Sequence, residues 1–133
     1  MDFTDRLRDE VETLELEIPL RLGLLDEVDS LAFYCTGGHT LQTYYDGTET
    51  KQLNYEFSIK TKNQGLANQT LSQVASFLVE LDTVPSNNES YTFERLEIVN
   101  EPFFVGQDEQ KYIWYRLAIQ VRLTIFKKEK EMF

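Results

Sequence analysis

Basic residues are scarce in this chain, and cysteine and histidine are almost missing. Of 133 residues, 13 are Lys or Arg against 23 Asp or Glu, a formal net charge of −10. That balance argues against a nucleic-acid binder, which carries a basic footprint toward phosphate. The single cysteine, Cys35, cannot close an internal disulfide and suits a reducing compartment. With one histidine, His39, beside it, the common zinc-ligand sets are short of members. No run approaches the ~20 apolar residues of a membrane span. The first ten residues are charged and lack the apolar stretch of a signal peptide. Without such a signal, the glycosylation patterns at Asn68-Gln69-Thr70 and Asn88-Glu89-Ser90 are coincidental.

What remains is enough for a globular core. Hydrophobic residues make up 41% and aromatics 13% of the sequence. A chain of this length forms one domain, here residues 1–133, and buries roughly two-thirds of its unfolded surface without staples. The negative charge is concentrated in residues 1–30, which hold ten acids and three bases. The segment reads as a solvated helix face followed by an acidic turn, or as a patch that steers a basic partner. Residues 127–133 alternate Lys and Glu before Met132-Phe133 and read as a frayed end.

Periodicity divides the chain into helices and strands. Phe3, Leu7, Val11 and Leu14 recur at helical spacing, with Asp2 or Thr4 as the cap. Pro19 and Gly23 interrupt the chain after this helix. Residues 31–34 and 41–45 read as short strands, the first stopped by Gly37-Gly38 and the second by the Asp46-Gly47 turn. In residues 51–61, Leu53, Tyr55, Phe57 and Ile59 alternate with polar residues, the period of a sheet with one wet face. Asn63 caps a helix to about residue 81, with Ala67, Leu71, Val74, Ala75, Leu78 and Leu81 as its buried stripe. Residues 91–99 form a strand stopped by Pro102, Gly106 opens a loop, and residues 111–126 form the longest strand. There Ile113, Tyr115, Leu117, Ile119, Val121, Leu123 and Ile125 share one face, and Tyr112, Trp114, Arg116, Ala118, Gln120, Arg122 and Thr124 the other. The predicted fold class is α+β, an antiparallel β-sheet with two main helices packed on one face.

The chemistry-bearing residues do not assemble a catalytic set on paper. The enzyme alternative is a small carboxylate/His39 site: His39 lies near Cys35 and Thr40 in a glycine-rich stretch, and paired acids for glycoside chemistry stay open, although close carboxylates are expected by chance in so acidic a chain. Gly37-Gly38 lacks the Lys and spacing of a phosphate-binding loop. Asp26, Glu27 and Asp29 lack the spacing of a calcium loop. The aromatics are more informative. Tyr44, Tyr45, Tyr112 and Trp114 place amphipathic rings where a half-exposed sheet meets something, and Arg116 and Arg122 line the same wet row. These six residues are the candidate subunit interface; the alternative for the rings is a place in the core under a helix. An open sheet also has edges to cover, and self-assembly covers them. An adaptor that takes up a peptide strand along an edge is a further possibility.

A series of short motifs resembles a known family. The run Lys62-Asn63-Gln64 leading into Leu66-Ala67-Asn68-Gln69-Thr70-Leu71 resembles the strand–turn–helix segment of bacteriophage minor capsid proteins from the head–tail gene clusters of phages and prophages of Gram-positive bacteria. Pro85-Ser86-Asn87-Asn88-Glu89-Ser90-Tyr91 and Asp108-Glu109-Gln110-Lys111-Tyr112 resemble two further loop-to-strand segments of that family, over about residues 30–125 in the same order. Glu89 and Lys111 stand where the family has turn glycines, so those loops are expected to be built differently.

The family is similar to tail terminator and tail completion proteins, and the resemblance carries a set of implications. It implies a virion structural protein, assembled in the host bacterial cytoplasm, with no catalytic residues, cofactor or metal and no specific nucleic-acid or membrane binding. It also implies self-assembly into a ring, usually of six when assembled, that meets the tail tube and the head connector; a monomer when isolated agrees with this, since many such parts assemble only on the growing tail. In such a ring an exposed acidic N-terminal segment would repel DNA and let it pass.

Overall fold

The first helix forms because its apolar residues fall on one stripe. The structure, a computed structural model, describes residues 2–16, 18, 20–22 (backbone only at 21 and 22) and 29–126. Pro19, Gly23, Asp26, Glu27 and the expected frayed end at 127–133 lie outside them. Helix α1 (Phe3–Glu12) buries Phe3, Leu7 and Val11, as their spacing predicts. Each contributes on the order of 1.5–3 kcal/mol. Asp2 occupies the N-cap position but makes no side-chain capping bond. Helix α2 (Gln64–Val79) is capped as expected: the Asn63 side chain accepts from the Leu66 amide at 3.0 Å. Its stripe of Ala67, Leu71, Val74, Ala75 and Leu78 is buried, together with Thr70.

Five strands make one sheet in the order β1-β2-β3-β5-β4. They are β1 (Leu20–Leu22), β2 (Ser30–Thr43), β3 (Glu49–Thr61), β4 (Tyr91–Gln107) and β5 (Ile113–Ile125). The last four pair antiparallel, and both helices lie against one face, giving the α+β class. β1 has no counterpart in the periodicity: three residues join the edge in parallel, Leu20 opposite Leu31. Strand β5 shows the expected alternation from Ile113 to Leu123, with the residues between partly open, and only Ile125 at its end departs from it by being partly buried.

Two strands run through residues expected to stop them. β2 is a single strand across Gly37-Gly38, with bulges between Cys35 and Gly37 and between Thr40 and Gln42. Gly37 takes φ +124°, open to glycine alone, and a Cβ on Gly38 would overlap the Gln52 carbonyl oxygen of β3. The glycine pair thus admits a bulge and a close strand approach rather than ending the pairing. β4 likewise continues past Pro102, which falls in the register break between Asn100 and Phe103. Because β4 is the outer strand, the missing N–H faces no partner and costs no ladder bond.

The turns hold two residues in a glycine conformation. Glu89 has φ 58° and Lys111 φ 75°. These are the positions where the resembling family carries turn glycines, so the loops keep the glycine-type backbone instead of being rebuilt. Asp108 organises the second of them, its Oδ1 accepting from the Gln110 and Tyr112 amides at 2.9 Å each. At the other end of the sheet the Asp46-Gly47 turn forms as expected, with Gly47 at φ 85°.

Candidate functional site

Strand register decides which side chains face away from the helices. Across β3, β5 and β4 the outward rows are Lys60–Trp114–Gly106, Ser58–Arg116–Phe103, Asn54–Gln120–Glu97 and Gln52–Arg122–Arg95. Among the described residues neither helix packs on this side; their buried side chains join the cluster on the opposite face. The outward face therefore carries polar side chains together with rings and guanidinium groups.

The six candidate interface residues fall into two groups. Trp114, Arg116 and Arg122 all stand on the outward face of β5, half-buried, and Tyr112 lies just before the strand. Lys60 bridges the rings, its Nζ 4.9 Å from the Tyr112 centroid and 5.5 Å from that of Trp114. Lys62 sits 5.0 Å from the Tyr112 centroid as well. Such contacts stabilise by about 0.5–1 kcal/mol each at exposed sites. Tyr44 and Tyr45 belong to the hairpin at the far end of β5, ~35 Å away at the rise of an extended strand. Tyr45 is fully exposed, and Tyr44 and Phe126 flank the same shallow depression. Of the rings, none joins the core.

The outward face holds three polar atoms that are buried without hydrogen-bond partners: Asn54 Oδ1, Arg116 Nε and Arg122 Nε. Burying such a group unpaired costs about 1–3 kcal/mol. Farther along β4, Val99, Phe103, Phe104 and Val105 are exposed apolar residues that periodicity did not single out. Phe103 shares the row of Arg116, and Phe104 meets Tyr115 edge to face at 5.9 Å on the other side. The run Phe103-Phe104-Val105 was the available signal, masked by placing the strand's end at Pro102.

The acidic segment differs from its expectation. On α1, Arg6 contacts Asp9 and Glu10 at 3.3 and 3.0 Å, and Arg8 contacts Asp5 and Glu12 at 3.7 and 3.4 Å. Two arginines thus lace four of the six described carboxylates of residues 2–16, while Glu15 stays exposed and the segment remains net acidic. Asp2 is tied down separately: its carboxylate accepts from Ser86 Oγ at 2.7 Å, the Asn87 amide at 2.8 Å and Ser90 Oγ at 3.3 Å. Partial burial opposes its charge, but these hydrogen bonds outweigh burial and hold its carboxyl below the usual 3.8.

Two tyrosines titrate abnormally, both on the helix side. Burial pushes Tyr55 up to about 12 although Thr4 Oγ1 lies 2.7 Å from its hydroxyl. Tyr91 is pushed up as well, by burial first and the Asp2 charge second, and it donates to the Val84 carbonyl at 2.6 Å. Both serve packing.

His39 stands exposed on the outer half of β2, opposite Gln52. Cys35, also exposed, directs its Sγ toward the Gly37 carbonyl at 3.5 Å. Among the described residues no group of three His, Cys, Asp or Glu side chains could hold a metal ion, and no helix is long and apolar enough to cross a membrane.

Compared with known proteins, residues 8–125 match a family model described as bacteriophage tail terminator protein. No curated protein matches the chain.

Proposed function

Because this chain belongs to the bacteriophage tail terminator protein family, we propose that it is a structural part of the virion at the head–tail junction. It acts there as one assembly unit that closes into a ring on the end of the tail tube and meets the head connector. The family is structural, and we assign the chain no chemistry of its own. The observation that carries this reading is the outward face of β3, β5 and β4: a sheet surface covered by neither helix, bearing Trp114, Phe103 and two guanidinium groups with unpartnered Nε atoms. Aromatic and arginine anchors of this kind dominate the energetics of protein–protein contacts. Cyclic packing is heterologous, so this patch meets a different patch on the next copy. The second group, Tyr44 and Tyr45 at the hairpin tip, is placed to reach another component, tube or connector.

The test is complementation of a phage lacking this gene. The wild-type chain restores joined particles and co-purifies with tails. Trp114→Ala weakens association by at least ~2 kcal/mol while the fold survives, because the ring is half exposed and its removal leaves no cavity. Heads and tails then accumulate unjoined. Wild-type chain that restores infectivity without ever being found on tails would sink the proposal.

A further inference from the structure

The two sides of the molecule differ in sign and in relief, and in a way that lets one side receive the other. The outward face of β3, β5 and β4 carries four cations, Lys60, Arg95, Arg116 and Arg122, against three carboxylates, Glu56, Glu94 and Glu97. Arg95 is already paired with Glu97 at 3.4 Å, so the face is positive by a single charge, on a chain whose overall charge is −10. The helix side, residues 2–16 and 63–82, holds eight carboxylates against Arg6 and Arg8 alone. Three of them, Glu12, Glu15 and Glu80, line two depressions. One, about 210 Å³, lies between the end of α1 and β1 and is lined by Val11, Leu16, Leu20, Glu12 and Glu15. The other, about 480 Å³, lies along the outer face of α2, with Leu14 and Phe77 as its apolar wall and Glu80 at its end. Apolar walls with a carboxylate at the rim suit the stem and head of an arginine, which buries its methylenes and presents its charge.

Helix α2 strengthens the assignment. Its sixteen residues contain no charged side chain, and its exposed positions, among them Gln69, Ser72, Gln73, Ser76 and Val79, are all neutral. A solvated helix face normally carries charges for solubility, whereas interface cores are depleted of them. Three strands about 4.8 Å apart and ~40 Å long span on the order of 600 Å², somewhat under the ~800 Å² per partner of a standard-size interface.

We propose that copies of this chain pack front to back. The outward sheet face of one copy seats on the helix layer of the next, with Arg116 and Arg122 directed at the carboxylates around Glu15 and Glu80. The accessible ends of the two half-buried arginines meet the carboxylates, and the mismatch of two unlike patches is what a closed ring requires. This inference rests on the self-assembly reading above and names the surfaces that perform it.

The experiment is a charge swap read by sedimentation velocity at low and high salt. The wild-type chain should associate with increasing concentration, and association should fall steeply with added salt. Arg116→Glu with Arg122→Glu should weaken association at least tenfold, and Glu15→Arg with Glu80→Arg should do the same. Mixed one to one, the two variants should restore it, since each acidic face then finds a basic one. Circular dichroism and the thermal midpoint report the fold; R116Q/R122Q is the fallback if the double Glu variant does not fold. A wild-type chain that stays monomeric at about 1 mM in low salt overturns the front-to-back contact. So do variants that associate like wild type, or a mixture that fails to recover. If rings persist on tails while the swap has no effect, only this assignment falls. If wild-type chain is absent from tails, the tail reading falls with it.

Discussion

Leu117 and Arg116 are neighbours on one strand, yet they belong to surfaces under opposite demands. On the helix side β5 contributes Leu117, Ile119, Val121 and Leu123, each no more than 1% exposed. On the other side Trp114, Arg116, Gln120 and Arg122 stay half open. The inner face sums many apolar contacts with Phe3, Phe33, Tyr55 and Phe57, several of them ring on ring at 5.2–6.2 Å. The outer face instead keeps Asn54 Oδ1, Arg116 Nε and Arg122 Nε without partners. A sheet of alternating residues can thus hold its stability on one side and leave the other side to be completed by contact. The cost of three unsatisfied atoms is tolerable because the inner face is large.

Truncating the two neighbours separately puts the division of labour to its most severe test. Leu117→Ala removes a fully buried side chain and should cost about 2–5 kcal/mol of folding stability. Arg116→Ala should change stability by no more than about 0.5 kcal/mol, since it deletes a half-open group and an unsatisfied donor with it. Chemical denaturation of both variants checks this. Equal losses would mean that the outer face is as structural as the inner one.

A weaker effect separates the faces by pH. Tyr55, raised to about 12, and Tyr91, also raised, sit on the helix side. In the unfolded chain they ionise near 10. The stability they confer is complete below pH 10 and is lost as pH rises through 10 toward 12 and beyond. The denaturation midpoint should therefore fall between about pH 9 and about pH 11.5, and less steeply in a Tyr55→Phe, Tyr91→Phe double variant. Asp2 behaves in the opposite sense: its folded carboxyl lies below 3.8, so its contribution is present above that value and lost as pH falls below it. Asp2→Ala should cost about 1 kcal/mol at neutral pH and flatten the acid limb.

Much of this division is legible in the amino-acid order. The period of two in residues 51–61 and 113–125 sorts the residues of β3 and β5 by face, and it groups Trp114, Arg116 and Arg122 correctly. The Asn63 cap and the α2 stripe follow from helical spacing. The misreadings share one cause. Gly37-Gly38 and Pro102 have the look of strand stops, but on strands that lack a full set of neighbours a bulge absorbs both. Cutting β4 short at the proline hides Phe103 and Phe104. β1 has three residues, too few for any periodicity to show. The split between Tyr44–Tyr45 and Tyr112–Trp114 is a matter of strand length and pairing, which local pattern does not contain.

The smallest expected effect concerns the turn that fixes the parity of β5. A slip of one residue there would exchange the two faces, carrying Trp114 inward and Leu117 outward. Asp108 guards against it by holding the Gln110 and Tyr112 amides, and the Lys111 amide donates to the Asp108 carbonyl at 3.2 Å. Lys111 pays for this with φ 75°, where a Cβ costs about 1–2 kcal/mol. Lys111→Gly relieves that strain but gives the unfolded chain about 0.5–1 kcal/mol more backbone freedom. The net gain should be about 0.5 kcal/mol, seen as a small rise in denaturation midpoint with unchanged slope. Lys111→Ala keeps the Cβ and should show no gain. If glycine destabilises instead, the lysine side chain itself supports the turn, and the parity of the two faces depends on more than the Asp108 hydrogen bonds.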